Sequence, residues 1–207
     1  MRNKFLALIP FILVACITMT SVVKAEEAIV AVDPPLITDV YPGDTVSINV
    51  TITDVTDLWA WQFMLSWNSS VLEVARDPGT GNPLVEEGPF LKSAGNTLFI
   101  VVPPEPGELP DISCVLMVEK EVSGSGTLAT ITFNATALGD TDIIIESILV
   151  HFDETIIPVE LESGEVIVIP EFPASMILPL FLIATAAIVI MTKIAWSRRR
   201  RGYINAL

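Results

Sequence analysis

The amino-acid sequence predicts an all-β fold, a single β-sandwich carried between two membrane-directed ends. Three observations lead there. Apolar residues alternate with polar ones at period two in segment after segment. Glycine and proline clusters cut these segments at short intervals. Between Glu26 and Pro170 no stretch carries the spacing of a convincing amphipathic helix.

The elements follow in chain order. Met1 to Lys4 is basic, Phe5 to Val23 is apolar, and Val23-Lys24-Ala25 offers small residues for cleavage, so residues 1–25 read as a signal peptide. Leu13-Val14-Ala15-Cys16 also fits a lipobox, in which the cysteine is lipidated before cleavage. Ala28 to Val32 opens the strands. Tyr41-Pro42-Gly43-Asp44 is turn chemistry, and Thr45 to Thr53 follows with Val46, Ile48, Val50 and Ile52 on one face. Trp59, Trp61, Phe63, Leu65 and Trp67 make the next apolar stripe. Further strands are expected at Val71 to Ala75, Thr97 to Val102, Ile112 to Glu119, Thr127 to Ala135, Asp142 to Val150 and Gly164 to Ile169. Asp77 to Pro83, Pro103 to Pro110 and Ser123 to Gly126 are read as the separators between them.

Beyond the sandwich (residues 26–170), a juxtamembrane stretch at 171–175 leads into a transmembrane helix at 176–196. Ala174 to Met191 carries no charge. Eighteen helical residues rise about 27 Å, close to the roughly 30 Å of a bilayer's hydrocarbon core. Lys193, Trp196 and the run Arg198-Arg199-Arg200-Arg201 close the segment. Basic residues stay in the cytoplasm, so the tail 197–207 is expected inside and the sandwich outside, a single-pass protein of the cell membrane.

Charge is distributed unevenly. All 25 acidic residues lie between Glu26 and Glu171, opposed there by Arg76, Lys92 and Lys120 alone, a net of −22 against −14 for the whole chain. Such a field repels nucleic acid and favours cations or basic partners, and it also keeps an exposed surface soluble. After signal removal only Cys114 remains, which excludes an intramolecular disulfide; in its apolar run it reads as a buried, inert thiol. His151 is the single histidine and no motif ties a serine or cysteine to it. Asp54 with Asp57 and Asp140 with Asp142 lack EF-hand spacing and read as turn aspartates. No catalytic residue, metal ligand or cofactor site is therefore expected.

Three glycosylation sequons begin at Asn49, Asn68 and Asn134. Asn49 falls on the polar strand face and Asn68 in a turn, whereas Asn134 extends the face of Leu128, Thr130 and Thr132. The tryptophans raise a carbohydrate platform, but their alternation with Phe63 and Leu65 turns them inward. Trp59, nearest the strand start, is the one left as a ligand contact.

Tyr41-Pro42-Gly43-Asp44-Thr45-Val46, Trp61-Gln62-Phe63-Met64-Leu65-Ser66-Trp67 and Val71-Leu72-Glu73-Val74 resemble the opening half of a cohesin domain. Gly124-Ser125-Gly126-Thr127-Leu128-Ala129-Thr130-Ile131-Thr132-Phe133 and Gly164 to Val168 resemble its closing half, in the same order. The resemblance implies a jelly-roll sandwich of about nine strands and non-catalytic recognition of a dockerin-like protein. Asn68-Ser69-Ser70 stands where the family often has an aspartate-proline turn, so the recognition face does not carry over. Pro170-Glu171-Phe172-Pro173, before the apolar run, resembles the tripartite sorting signal of archaeal surface proteins, with a plain stop-transfer anchor as the other reading. Taken together, the expectation is a surface-exposed docking or adhesion module for a protein or a polysaccharide. A structural component of an archaeal envelope layer is the alternative.

Overall fold

A computed structural model describes residues 27–171, 179 and 181–193. The described residues form thirteen strands in two sheets. These are β1 (Ala28–Asp33), β2 (Leu36–Val40), β3 (Thr45–Leu58), β4 (Ala60–Ser66), β5 (Leu72–Val74), β6 (Val85–Glu87), β7 (Thr97–Val101), β8 (Glu108–Leu116), β9 (Val122–Ala135), β10 (Gly139–Val150), β11 (Ile156–Ile157), β12 (Val159–Glu162) and β13 (Gly164–Val168). One sheet runs β12-β1-β3-β9-β5, with β6 also on β9; the other runs β2-β13-β10-β4-β8-β7, with β11 also on β10. The chain changes sheet at most of its connections.

All nine strands expected from alternation are present. The count of about nine needs correction, because β2, β6, β11 and β12 add to it. Each is five residues or shorter and pairs at a sheet margin, so none repeats its pattern often enough to be read. A short helix, α1 (Pro89–Lys92), was not expected either. It buries Phe90 and Leu91, and its seat depends on glycine. A Cβ on Gly126 would come 2.7 Å from the Phe90 ring, and one on Gly88 would come 2.2 Å from the Thr127 carbonyl oxygen.

The Ser123 to Gly126 separator is in fact strand. β3 and β9 pair along their whole lengths with repeated register shifts: Ile52 lies opposite Gly126, Val55 opposite Gly124 and Leu58 opposite Val122. Three residues of β3 thus span two of β9, and each extra residue is a bulge. Asp54 and Asp57 take the left-handed backbone that these bulges need, at φ 53° and 54°. Ile52, Val55 and Leu58 all stay buried as a result. Likewise β8 starts at Glu108, inside the expected proline-rich separator.

Between the sheets lies one core. Phe63, Phe133, Ile48, Ile52, Leu58 and Leu65 are among its fully buried side chains. Trp61 stacks on Phe63 at 5.1 Å, and Trp67 meets Phe133 edge-on at 5.0 Å. The ends of the domain are tied to each other. β1 runs parallel to β12 and β2 runs parallel to β13, and the Ile169 N–H continues the second pairing to the Val40 carbonyl.

Residues 181–193 are helical, and every one is exposed. No helix among the described residues is long and apolar enough to cross a membrane. The expected span at 176–196 lies partly outside the described residues. The signal peptide, Cys16, Phe172, Pro173 and Arg198 to Arg201 lie wholly outside them.

Candidate functional site

The outer faces of the two sheets differ in chemistry. On the six-stranded sheet the outward side chains of β3 and β9 are hydroxyls and amides that satisfy one another. The Thr130 hydroxyl donates to the Asn49 side-chain oxygen at 2.8 Å, Ser47 and Thr132 hydroxyls meet at 3.1 Å, and the Thr45 hydroxyl donates to the Asn134 amide oxygen at 3.4 Å. A face whose polar groups are already paired offers little to a ligand.

The seven-stranded sheet carries apolar side chains on part of its outer face as well as inside. Leu98, Val115, Ala60, Val150 and Ile156 are successive register partners across β7, β8, β4, β10 and β11. Ile100, Ser113, Gln62 and Ile148 form the adjacent row. Leu98, Ile100, Ile144 and Ile148 are each about half exposed, and Ile156 is 71% exposed. A shallow depression of about 170 Å³ lies between Leu98, Ile100, Val115, Ile148 and Val150. The first of these rows is apolar across five strands, a composition that makes it the candidate interaction surface.

Sequence reasoning missed this face, although its signal is visible. Ile143-Ile144-Ile145, Ile148-Leu149-Val150 and Leu98-Phe99-Ile100-Val101-Val102 do not alternate. Such runs read as strands buried on both sides, whereas here one side is uncovered.

Trp59 stands at the end of this sheet and is half-buried, not exposed as expected. Its indole N–H donates to the Val118 carbonyl at 3.3 Å, and its ring meets Phe152 edge-on at 5.4 Å. Of the three sequon asparagines, Asn68 lies in a turn as expected, and Asn49 departs from expectation. Asn68 and Asn134 are exposed, while Asn49 is half-buried with its amide oxygen held by Thr130. Pro170 and Glu171 are exposed just beyond β13.

The titratable groups are held structurally. The Ser123 and Ser125 hydroxyls receive the Asp57 and Asp54 backbone N–H groups, at 2.8 and 3.0 Å. His151 Nδ1 lies 2.8 Å from the Asp57 carbonyl oxygen. Burial pushes the Cys114 thiol up to about 12, and the neighbouring Glu87 carboxylate, 3.4 Å from its sulfur, adds to the rise. Glu87 also accepts from Thr97 and pairs with Lys92 at 3.2 Å. Asp77 lies below the usual carboxylate range because the Thr80 backbone N–H, the Thr80 hydroxyl and the Gly79 N–H all point at it. Asp153 is lowered by the Thr155 hydroxyl and then by its N–H. Among the described residues no three His, Cys, Asp or Glu side chains converge as metal ligands would.

A larger hollow of about 370 Å³ lies at the β5 edge, lined by Trp67, Glu73, Arg76 and Pro104 to Gly107. Two of its polar groups are already engaged. The Trp67 N–H donates to the Leu72 carbonyl and Arg76 to the Gly81 carbonyl.

Comparison with known proteins agrees with this geometry. The profile of the cohesin domain family matches residues 30–168. Among solved structures, the chain is similar to a non-cellulosomal cohesin from the hyperthermophilic archaeon Archaeoglobus fulgidus, at 16% identity and a TM-score of 0.54 over 73% of this chain and 97% of that one. A type II cohesin domain from the Acetivibrio cellulolyticus cellulosome aligns at 14% identity and a TM-score of 0.57, covering 68% and 95%. A Clostridium thermocellum chain solved in a type I cohesin–dockerin complex aligns at 15% identity and a TM-score of 0.54, covering 70% and 100%. No curated protein matches the sequence.

Proposed function

The chain belongs to the cohesin domain family, and from that premise we propose that it is a non-catalytic protein-docking module tethered at the outside of a cell membrane. The family is one of docking modules, and several of the similar structures were solved with dockerins. The observation that carries the reading to a particular surface is the uncovered apolar row Leu98–Val115–Ala60–Val150–Ile156. A sheet face of this kind suits a protein surface, which can bury it broadly. A sugar needs aromatic platforms, and no aromatic side chain lies in either row.

The test is direct. Ile100→Ser and Ile148→Ser, made together in the full chain, should abolish binding in a panel of dockerin modules and leave the melting temperature within a few degrees. Retained binding would move the site elsewhere. Polysaccharide binding keeps one supporting feature, the Trp59–Phe152 pair at the sheet end. Loss of retention on a polysaccharide column in Trp59→Ala, with docking unchanged, would favour it.

Tethering is supported by the exposed apolar helix at 181–193 and by the arginine run that follows. Protease added to intact cells should remove the sandwich and spare a tag placed after Leu207. A missing tail on intact surface protein would instead indicate sorting at Pro170 to Pro173. An envelope-structural role would show as lateral assembly without any separate partner.

A further inference from the structure

The docking face has two halves, and the second points to the chemistry of its partner. Beside the apolar rows the same outer surface carries Asp140, Asp142 and Glu146 on β10, Glu108 on β8 and Glu165 on β13. Asp142 and Glu165 are direct cross-strand partners. Like charges placed opposite each other on a sheet are destabilising, and nothing in this sheet offsets them. Arg76 follows β5, Lys92 sits in α1 and Lys120 lies between β8 and β9, so none of the domain's three cations stands on a strand of this sheet.

The like-charged pair faces the same side as the exposed isoleucines, and Ile144 lies between Asp142 and Glu146 on β10. Resting on the docking reading above, we propose that the partner of this face is a basic protein surface, with an apolar stripe for the isoleucine rows and lysine or arginine side chains for the Asp142–Glu165 end. A second copy of this chain does not fit. It would bring another net −22 and the same carboxylates against these. A basic surface gains on both counts, since it relieves the unbalanced pair and is steered to it by the field of the whole domain.

The test uses the full chain in neutral detergent and two labelled helical peptides with one leucine stripe, flanked either by lysines or by glutamates. Binding is followed by fluorescence anisotropy. The lysine peptide should bind and the glutamate peptide should not. Affinity should fall about tenfold between 0.1 and 0.5 M salt as screening shortens the reach of the charges. Asp142→Asn with Glu165→Gln should weaken binding about fivefold, whereas Glu160→Gln with Glu162→Gln, on β12 of the other sheet, should not.

If Ile100→Ser with Ile148→Ser abolishes binding but the face carboxylates do not matter, the charge assignment is overturned while the docking face stands. Equal loss from the β12 variant would mean diffuse attraction and overturn it too, as would no binding of the lysine peptide. Light scattering that shows a dimer dissolved by Ile148→Ser would name a second copy as the occupant and also overturn the proposal.

Discussion

The Ser123 hydroxyl serves Asp57 twice, receiving its backbone N–H at 2.8 Å and donating to its carboxylate at 3.0 Å. Asp57 holds a left-handed backbone at φ 54°, a conformation that a short polar side chain tolerates better than a branched one. The pair thus closes the bulge that lets Leu58 reach the core. Ser123→Ala should cost about 1 kcal/mol, the ordinary worth of such a bond. Asp57→Val should cost more, because a branched side chain is added to the strained backbone. Urea unfolding of the two single variants and the double variant would measure the coupling. Strict additivity would mean that the hydroxyl does not support the bulge.

Trp61 and Phe63 are both nearly inaccessible and stack on each other. Replacing either with alanine should cost about 3–5 kcal/mol, the usual effect of removing a large core aromatic. His151→Ala should leave docking unchanged, since its ring, just past β10, is turned to the Asp57 carbonyl of β3. Differential scanning calorimetry and a binding assay separate these effects. A Trp61→Ala variant with wild-type melting would contradict the core assignment.

Acid should weaken the fold through two turn carboxylates. Asp77 and Asp153 are both held below their ordinary value of 3.8 in the folded chain. A lowered carboxylate contributes stability above its unfolded value, and that contribution is lost as pH falls through the folded one. The melting temperature should therefore drop below about pH 3.8, and less so in Asp77→Asn with Asp153→Asn. A double variant with the full acid sensitivity of the parent would put the effect elsewhere.

Cys114 should not react with thiol reagents at pH 8 while the domain is folded. Its thiol is raised to about 12, so almost no thiolate is present, and its sulfur is buried beside Glu87. A raised thiol favours folding at pH below the unfolded value of 9.0, and that share is lost as pH climbs from there toward 12. Peptide mapping after mild alkylation should find Cys114 unmodified, and modified after denaturation. Rapid labelling of the native chain would mean that the sheet opens at this position.

The strands legible in the sequence were those whose inward side chains repeat at least twice against a polar opposite face, as in Val46-Ser47-Ile48-Asn49-Val50. β12, with Glu160 and Glu162 on a sheet edge, has no such repeat, and β11 is two residues long. Ser123-Gly124-Ser125-Gly126 has the composition of a turn, and its strand conformation depends on Asp54 and Asp57 some seventy residues earlier. The uncovered apolar face was hidden for another reason. Ile143-Ile144-Ile145 is apolar on both sides, and only the tertiary fold decides which side is covered. The exposure of the sequon asparagines depended in the same way on cross-strand partners, such as Thr130 for Asn49.

The parallel pairing of β2 with β13 bears on how the domain transmits force. β13 leads directly to Pro170, the point from which any tether would pull, and it lies between β2 and β10. A pull at Pro170 resisted at the docking face runs along the length of β13. The hydrogen bonds on its two sides then carry the tension together, in shear, instead of parting one after another as a zipper would. Under the proposed tether, a load entering at Pro170 would meet more resistance than one that peels β13 from its neighbours.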